Sequence, residues 1–214
     1  MKNKLIIPNF SLKSNKEKDF EKVLKLVNYN NINQYPWGET DEFQRIRFKI
    51  AHNNHNIYLH YDVIEPEITA TYLKHNTPVC KDSCIEFFIA FEEDTNYYNF
   101  EFNALGSCLL AWGPDRYNRQ LLDIKIIDLI KVKTEIKRIS QNGLTMFNWK
   151  IFIIIPLSTF SFNNIKSLKN IKAKANFYKC GNNLSKPHYI TWNNIRSEKP
   201  DFHLKSYFRE IEFS

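Results

Sequence analysis

The chain lacks the runs and motifs that mark several large protein classes. No segment approaches the ~18 consecutive apolar residues of a membrane-spanning helix, so no membrane insertion is expected. The N-terminus, MKNKLIIPNF, offers only Leu5, Ile6 and Ile7 before Pro8. A secretory leader needs an apolar region of ~7–15 residues. The expected location is therefore cytoplasmic, unless a leader has been removed. Glycine is scarce, with 5 in 214 residues, and methionine occurs only twice. No phosphate loop, dinucleotide fingerprint or nucleophile elbow is present. The cysteines are Cys80, Cys84, Cys108 and Cys180. Their spacing is not that of a zinc knuckle, and a domain of this size does not need a disulfide framework. Free, mostly buried thiols are expected.

The six histidines are His52, His55, His60, His75, His188 and His203. None forms an H-x-x-x-H pair on a helix, so their spacing assigns no metal site. Haem needs an axial His or Met. Met146, near a turn, is the only methionine besides Met1, which argues against a haem role and leaves histidine as the remaining axial candidate. The net charge is +7. It comes from scattered lysines rather than a basic run, so a solvated surface is favoured over a nucleic-acid partner.

What is present is strand pattern. Hydrophobic residues make up 43% of the chain and aromatics 15%, enough for a substantial core. Phe20, Val23, Leu24 and Val27 lie at helical spacing, predicting a short helix over 16–27. After that, strands dominate. Ile46, Phe48 and Ile50 alternate with Arg45, Arg47 and Lys49. Ile57, Leu59, Tyr61 and Val63 alternate with Tyr58, His60 and Asp62. The turn-rich HNNHN between these runs makes them a hairpin. Asn142-Gly143 predicts a second hairpin, because both residues tolerate positive φ. Its return strand would run from Trp149 to Ile155 and stop at Pro156. Late strands are expected over 171–178, 188–192 and 208–213. The expected fold is an all-β antiparallel sandwich with a short N-terminal helix. It forms one domain over 1–214, on which an extension, 1–34, packs.

Two strand-like runs carry a central glutamate: DSCIEFFIAF (82–91) and YYNFEFNAL (97–105). Side chains alternate faces along a strand. One face therefore holds Cys84, Glu86, Phe88 and Ala90, and the matching face of the next run holds Tyr97, Asn99, Glu101 and Asn103. A hairpin closing Phe91 on Asn96 sets Glu86 opposite Glu101, Phe88 opposite Asn99 and Cys84 opposite Asn103. Like charges directly opposed on a sheet are destabilising. Arg or Lys, a bound cation or a retained proton would offset the repulsion. A hydroxyl-rich ligand would also suit such a surface. The plainer alternative is a solvated sheet face whose charges pair with Arg45, Arg47 or Lys49.

The order of motifs resembles the family 9-like carbohydrate-binding modules over residues 35–213. It consists of RFKIAH (47–52) with IYLHYDV (57–63), DSCIEFF followed by YYNFEFNALG, WGPDRYNR (112–119), NFYKCGNNLSKPHYITWNNI (176–195) and PDFH (200–203). The resemblance implies a jelly-roll sandwich related to the DOMON class. It also implies sugar binding on a sheet face between two aromatic planes, reducing-end recognition in some members, and structural calcium in some. A bacterial setting and association with glycoside hydrolases in carbohydrate catabolism are implied as well. The strand carboxylate falls on Glu86 and the closing amide on Asn103. One aromatic clamp position falls on Cys80, a departure that removes the usual ring. The other falls on Phe202 or His203. Arg209 replaces a glycine common in the last strand.

The candidate ligand contacts are therefore Glu86, Tyr97, Asn99, Glu101, Asn103, Trp112, Arg116, Phe202 and His203. Tyr97 or Trp112 would replace the missing clamp, with Tyr72 a further substitute. Arg116 and Arg119 would contact sugar hydroxyls or a uronate carboxylate, or neutralise the glutamates. Trp37, Trp149 and Trp192 are assigned to the core. Binding without turnover is the favoured reading. The alternatives are a glycoside hydrolase using Glu86 and Glu101, whose cross-strand separation would suit the ~5–5.5 Å of a retaining enzyme, and a protein-interaction sandwich without a sugar site. No cofactor is expected apart from a structural calcium, for which Glu92-Glu93-Asp94 is the only acidic loop.

Overall fold

The computed structural model describes residues 4–10, 23–38, 44–92 and 94–214. Within them the strands follow the alternation in the sequence. They are β1 (Leu5–Ile7), β2 (Asn30–Asn31), β3 (Arg45–His52), β4 (Asn56–Glu65), β5 (Cys84–Phe91), β6 (Tyr97–Asn103), β7 (Cys108–Gly113), β8 (Gln120–Leu121), β9 (Lys131–Gln141), β10 (Leu144–Pro156), β11 (Lys172–Gly181), β12 (His188–Thr191) and β13 (Arg209–Phe213). A short helix, α1 (Ile124–Ile127), is capped by the Asp123 carboxylate, which accepts from the Lys125 amide. Of the helix expected over 16–27, residues 23–26 are helical and 11–22 lie outside the described residues.

The larger sheet runs β1-β13-β11-β5-β6-β7-β8, with β12 paired to β11, and the smaller runs β2-β3-β4-β10-β9. All pairs are antiparallel except β1 with β13. The fold is the expected antiparallel β-sandwich. The extension is part of it: β1 joins one sheet and β2 the other. The Asn-Gly hairpin joins β9 to β10, with φ of 52° at Asn142 and 77° at Gly143. This is the positive pair that a two-residue turn matching sheet twist requires.

The main core lies between the sheets. The smaller sheet contributes Phe48, Tyr61, Trp149 and Ile151, and the larger contributes Ile85, Phe87, Phe100 and Phe177. Phe48 stacks on Phe177 with centroids 3.8 Å apart. Trp149 is fully buried, as its core assignment requires. Trp192 and Trp37 are partly buried against the main and the second cluster respectively.

The opposite face of the larger sheet departs from expectation. Every residue of β5 and β6 is buried, so the mixed face is not solvated. Val79, Ile195, Phe202 and Phe208 pack down onto Phe88, Tyr97 and Tyr178. The irregular segments 66–83 and 192–208 thus roof the sheet and give it a second core.

Candidate functional site

The register of β5 and β6 sets Glu86 against Glu101, Phe88 against Asn99 and Cys84 against Asn103. Both glutamates are 3% exposed. Arg45 and Arg47 do not reach them, because both guanidiniums pair with Asp62 on the smaller sheet. The cation that does is Arg119, whose Nη1 lies 3.2 Å from Glu101 Oε1. Asn99 Nδ2 donates to the same oxygen at 2.9 Å. Glu101 Oε2 has no partner. Glu86 Oε1 accepts from the Cys180 thiol at 3.0 Å.

Burial raises the Glu86 pKa well above the usual carboxylate range, and the facing charge of Glu101 raises it further. Burial also raises Glu101, against the opposing pull of Arg119. The one directly bonded guanidinium serves Glu101, so burial and the facing charge favour a proton retained on Glu86.

His203 closes the other wall. Its Nδ1 is 2.7 Å from the Tyr97 hydroxyl, and its Nε2 is 3.3 Å from Arg119 Nη1. A guanidinium only donates, so Nε2 is the acceptor and Nδ1–H points to Tyr97. Burial, and then the charge of Arg119, lowers the His203 pKa to about 3. Arg119 therefore bridges Glu101 and a neutral His203, tying the 112–119 loop to the roof.

These groups open onto a pocket of about 80 Å³ lined by Glu86, Glu101, Arg116, Arg119, Phe202 and His203 together with Cys80, Cys180, Asn182, Tyr189, Pro200 and Asp201. Sites that enclose a whole ligand run to ~300–1,000 Å³. This one can take the edge of a ring and leave the rest in solvent. Phe202 is 7% exposed, with one face stacked on Tyr178 at 4.2 Å. It forms a wall rather than a free platform.

Five of the nine expected contacts thus share the pocket: Glu86, Glu101, Arg116, Phe202 and His203. The other four lie behind it. Tyr97 is buried beneath His203 and stacks on Phe88. Asn99 is fully buried, its Nδ2 donating to Glu101 while its Oδ1 has no partner. Asn103 donates to Asp82 and to the Tyr72 carbonyl, and accepts from the amides of Leu105 and Ser107; it shapes the β6–β7 turn. Trp112 pairs with Tyr98 in the register and stacks on Phe162 at 4.2 Å. It belongs to the core-facing side, because it differs by one residue from Ala111, the partner of Asn99.

Cys80 does occupy the pocket wall, where the resemblance places an aromatic clamp. Arg209 lies over the Trp192 ring, 4.7 Å from its centroid, away from the pocket. Tyr189, Asn182 and Cys180 had no sequence signal as site residues. They come from the β11–β12 hairpin, which only the sheet order brings beside β5.

Of the acidic loop, Glu93 lies outside the described residues. The Asp94 carboxylate accepts from the Asn96 amide and from Asn163 Nδ2. Among the described residues, one group of three metal-capable donors comes together: Cys84, Glu86 and Cys180. No helix among the described residues is long and apolar enough to cross a membrane.

Comparison with known proteins bears on this geometry. A protein from Bacteroides uniformis, proposed to bind carbohydrate, superposes with a TM-score of 0.89 at 28% identity, over 99% of each chain. A carbohydrate-binding module of family 9 from Caldicellulosiruptor kristjanssonii, solved with glucose, superposes with a TM-score of 0.63 at 12% identity, over 99% of this chain and 96% of that one. A further structure from that organism, solved with cellotriose, gives 0.62 at 13% identity, over 99% and 93%. These two likenesses show the fold alone. No functionally curated protein matches the chain. The family model for carbohydrate-binding family 9 matches residues 18–213, and the chain belongs to that family.

Proposed function

We propose that this protein binds the terminal unit of a carbohydrate, without transforming it, in the pocket between β5, β6 and the roof. The observation that carries the reading is the convergence of Glu86, Glu101, Arg116 and Arg119 beside the Phe202 and Tyr189 rings at one small opening. Carboxyls, amides and guanidiniums give directional hydrogen bonds to ring hydroxyls, and ring faces cover the apolar side of a pyranose. Glu86, carrying a proton, both donates and accepts. Arg116, exposed at the mouth, is placed to meet a hydroxyl or a carboxylate of the sugar.

Cys80 alters the grip. Without a ring at that position, stacking falls to Tyr189 and the Phe202 edge, and polar contacts supply most of the affinity. Weak binding to a single sugar unit is expected.

A hydrolase needs two carboxyls flanking the scissile bond. Glu86 and Glu101 are neighbours on one floor, which favours binding over turnover.

The experiment is a tryptophan-fluorescence or calorimetric titration with glucose, cello-oligosaccharides and uronic-acid oligosaccharides, each native and with its reducing end chemically reduced. Saturable binding that Glu86→Gln weakens supports the reading, and loss on reduction adds that the end unit is read. Release of chromophore from an aryl glycoside, abolished in Glu86→Gln, would replace it with the hydrolase. No response to any sugar would favour a protein-interaction role.

A further inference from the structure

The pocket floor holds groups that sugar binding does not require. Cys84 and Cys180 are direct partners across β5 and β11. Glu86 lies two residues along β5 from Cys84 and so projects from the same face. The two sulfurs and a Glu86 oxygen all lie within 4.8 Å of one another. The Cys180 sulfur is 3.0 Å from Glu86 Oε1 and 3.5 Å from the Cys80 carbonyl. The backbone fastens these parts: the Asn182 amide donates to the Cys80 carbonyl and the Asn183 amide to that of Lys81. The short turn carrying Cys80 is thereby held against the end of β11, and Cys80 lines the same pocket.

We propose that Cys84, Cys180 and Glu86 form a three-ligand binding site for a thiophilic divalent cation of the zinc class, with the fourth position taken by water from the pocket. Three considerations converge. Two ligands each ~2.3 Å from zinc in tetrahedral geometry stand about 3.8 Å apart, so the donors need only small side-chain rotations. Two sulfurs select zinc or cadmium over calcium or magnesium. The surroundings also suit a cation: Glu101 faces Glu86 in the register, is 3% exposed, and has a carboxyl oxygen without a partner.

The charges balance. Binding displaces the thiol protons of Cys84 and Cys180 to solvent and engages Glu86 as the carboxylate. Two thiolates and one carboxylate against a double positive charge leave one negative charge. Arg116 at the mouth offsets it. Arg119 is already paired with Glu101, so the cluster with its two glutamates and two arginines is neutral.

The site shares Glu86 with the proposed sugar pocket but does not rest on that reading. A bound ion removes Glu86 from the sugar, so the two ligands should compete.

The test uses the full chain, stripped with chelator and kept reduced with a phosphine. Titration with cobalt(II) or cadmium(II) should give a sulfur-to-metal charge-transfer band saturating at one ion per chain. The band should be lost in Cys84→Ser and in Cys180→Ser. It should persist in Cys108→Ser, whose thiol faces the main core. Near-UV circular dichroism checks that each variant is folded. Zinc-edge X-ray absorption on the wild type needs no variant: two sulfurs at ~2.3 Å support the site. A shell of nitrogen and oxygen alone overturns it. So does the absence of a charge-transfer band, or a band unchanged in folded Cys84→Ser. A sugar titration that fails while the band forms would sink the carbohydrate reading and leave the metal site standing.

Discussion

Glu65 and Glu86 are both buried on strands, at 1% and 3% exposure, yet their surroundings differ. The Glu65 Oε2 lies 2.8 Å from the Lys179 ammonium, and its Oε1 accepts from the Trp149 indole at 2.6 Å. The same ammonium donates to the Cys180 carbonyl at 2.8 Å and lies 2.9 Å from His188 Nε2. One anion meets one cation at ion-pair distance, so the charges cancel within the cluster. A cavity of about 370 Å³ lies beside Glu65 and His188, but the fully buried Lys179 is turned inward. At Glu86 the carboxyls outnumber the directly bonded cations, thiols fill the gap, and an oxygen of Glu101 stays unpartnered. A balanced buried cluster closes a structure. An unbalanced one, open to a pocket, is fit to receive something.

The largest effect expected from breaking this contrast is at the balanced cluster. Lys179→Met leaves Glu65 buried and uncompensated, which should cost about 3–5 kcal/mol. Urea unfolding measures it, and adding Glu65→Gln should restore much of the loss. The same cluster should be indifferent to sugar. Next comes Asn103→Ala, which removes four hydrogen bonds around the β6–β7 turn. A loss of roughly 2–4 kcal/mol in stability is expected from the unsatisfied groups, with the affinity of the folded protein retained. Reduced affinity at unchanged stability would instead restore Asn103 as a ligand contact.

Glu86→Gln should behave in the opposite way. Sugar affinity falls roughly 5–10-fold, the worth of ~1–1.5 kcal/mol at the upper end for a hydrogen bond between neutral groups, while stability holds or rises. Its pH dependence sharpens the point. The folded pKa of Glu86 is raised, so the native state binds the extra proton. That contribution is fully present below the unfolded pKa and is lost as pH rises through the folded one. Its slope is at most about 1.4 kcal/mol per pH unit, and Glu86→Gln should remove it. His203 works in the other direction. Its pKa is depressed to about 3, so stability is lost as pH falls from the unfolded value near 6.5 toward 3. His203→Gln should flatten that acid limb in thermal melts across pH. The smallest effect is Tyr189→Ala: loss of one ring face, worth about 0.5–1.5 kcal/mol, should weaken sugar binding roughly 3–10-fold.

Much of the frame was readable from periodicity. A strand of period two and a short closing loop suffice to place Glu86 across from Glu101, and the register agrees. The Asn-Gly turn and the strands around it follow from the same local rules. Site membership was less legible. Asn99 and Asn103 have the composition of ligand contacts but are fully buried and donate within the protein. Trp112 has the chemistry of a sugar platform, but its place one residue from Ala111 on β7 sends it to the other side of the sheet. Tyr97 lies under His203 rather than in the open. No local pattern reports which side chains a distant loop will cover.

The alternation of small stretches determined the strands, the turn chemistry their joins, and together they determined the pairing of two glutamates. These are interactions between residues close along the chain, so their geometry is written in spacing. The tertiary structure alone decided what surrounds that pair. Segments 66–83 and 192–208 roof the sheet and dry it, β11 brings Cys180 beside Cys84, and Arg119 arrives from the loop after β7. Burial and electrostatic balance depend on groups brought together from far apart in the chain. A carboxylate's partners, and hence its charge and its role, exist only once the sheets have packed.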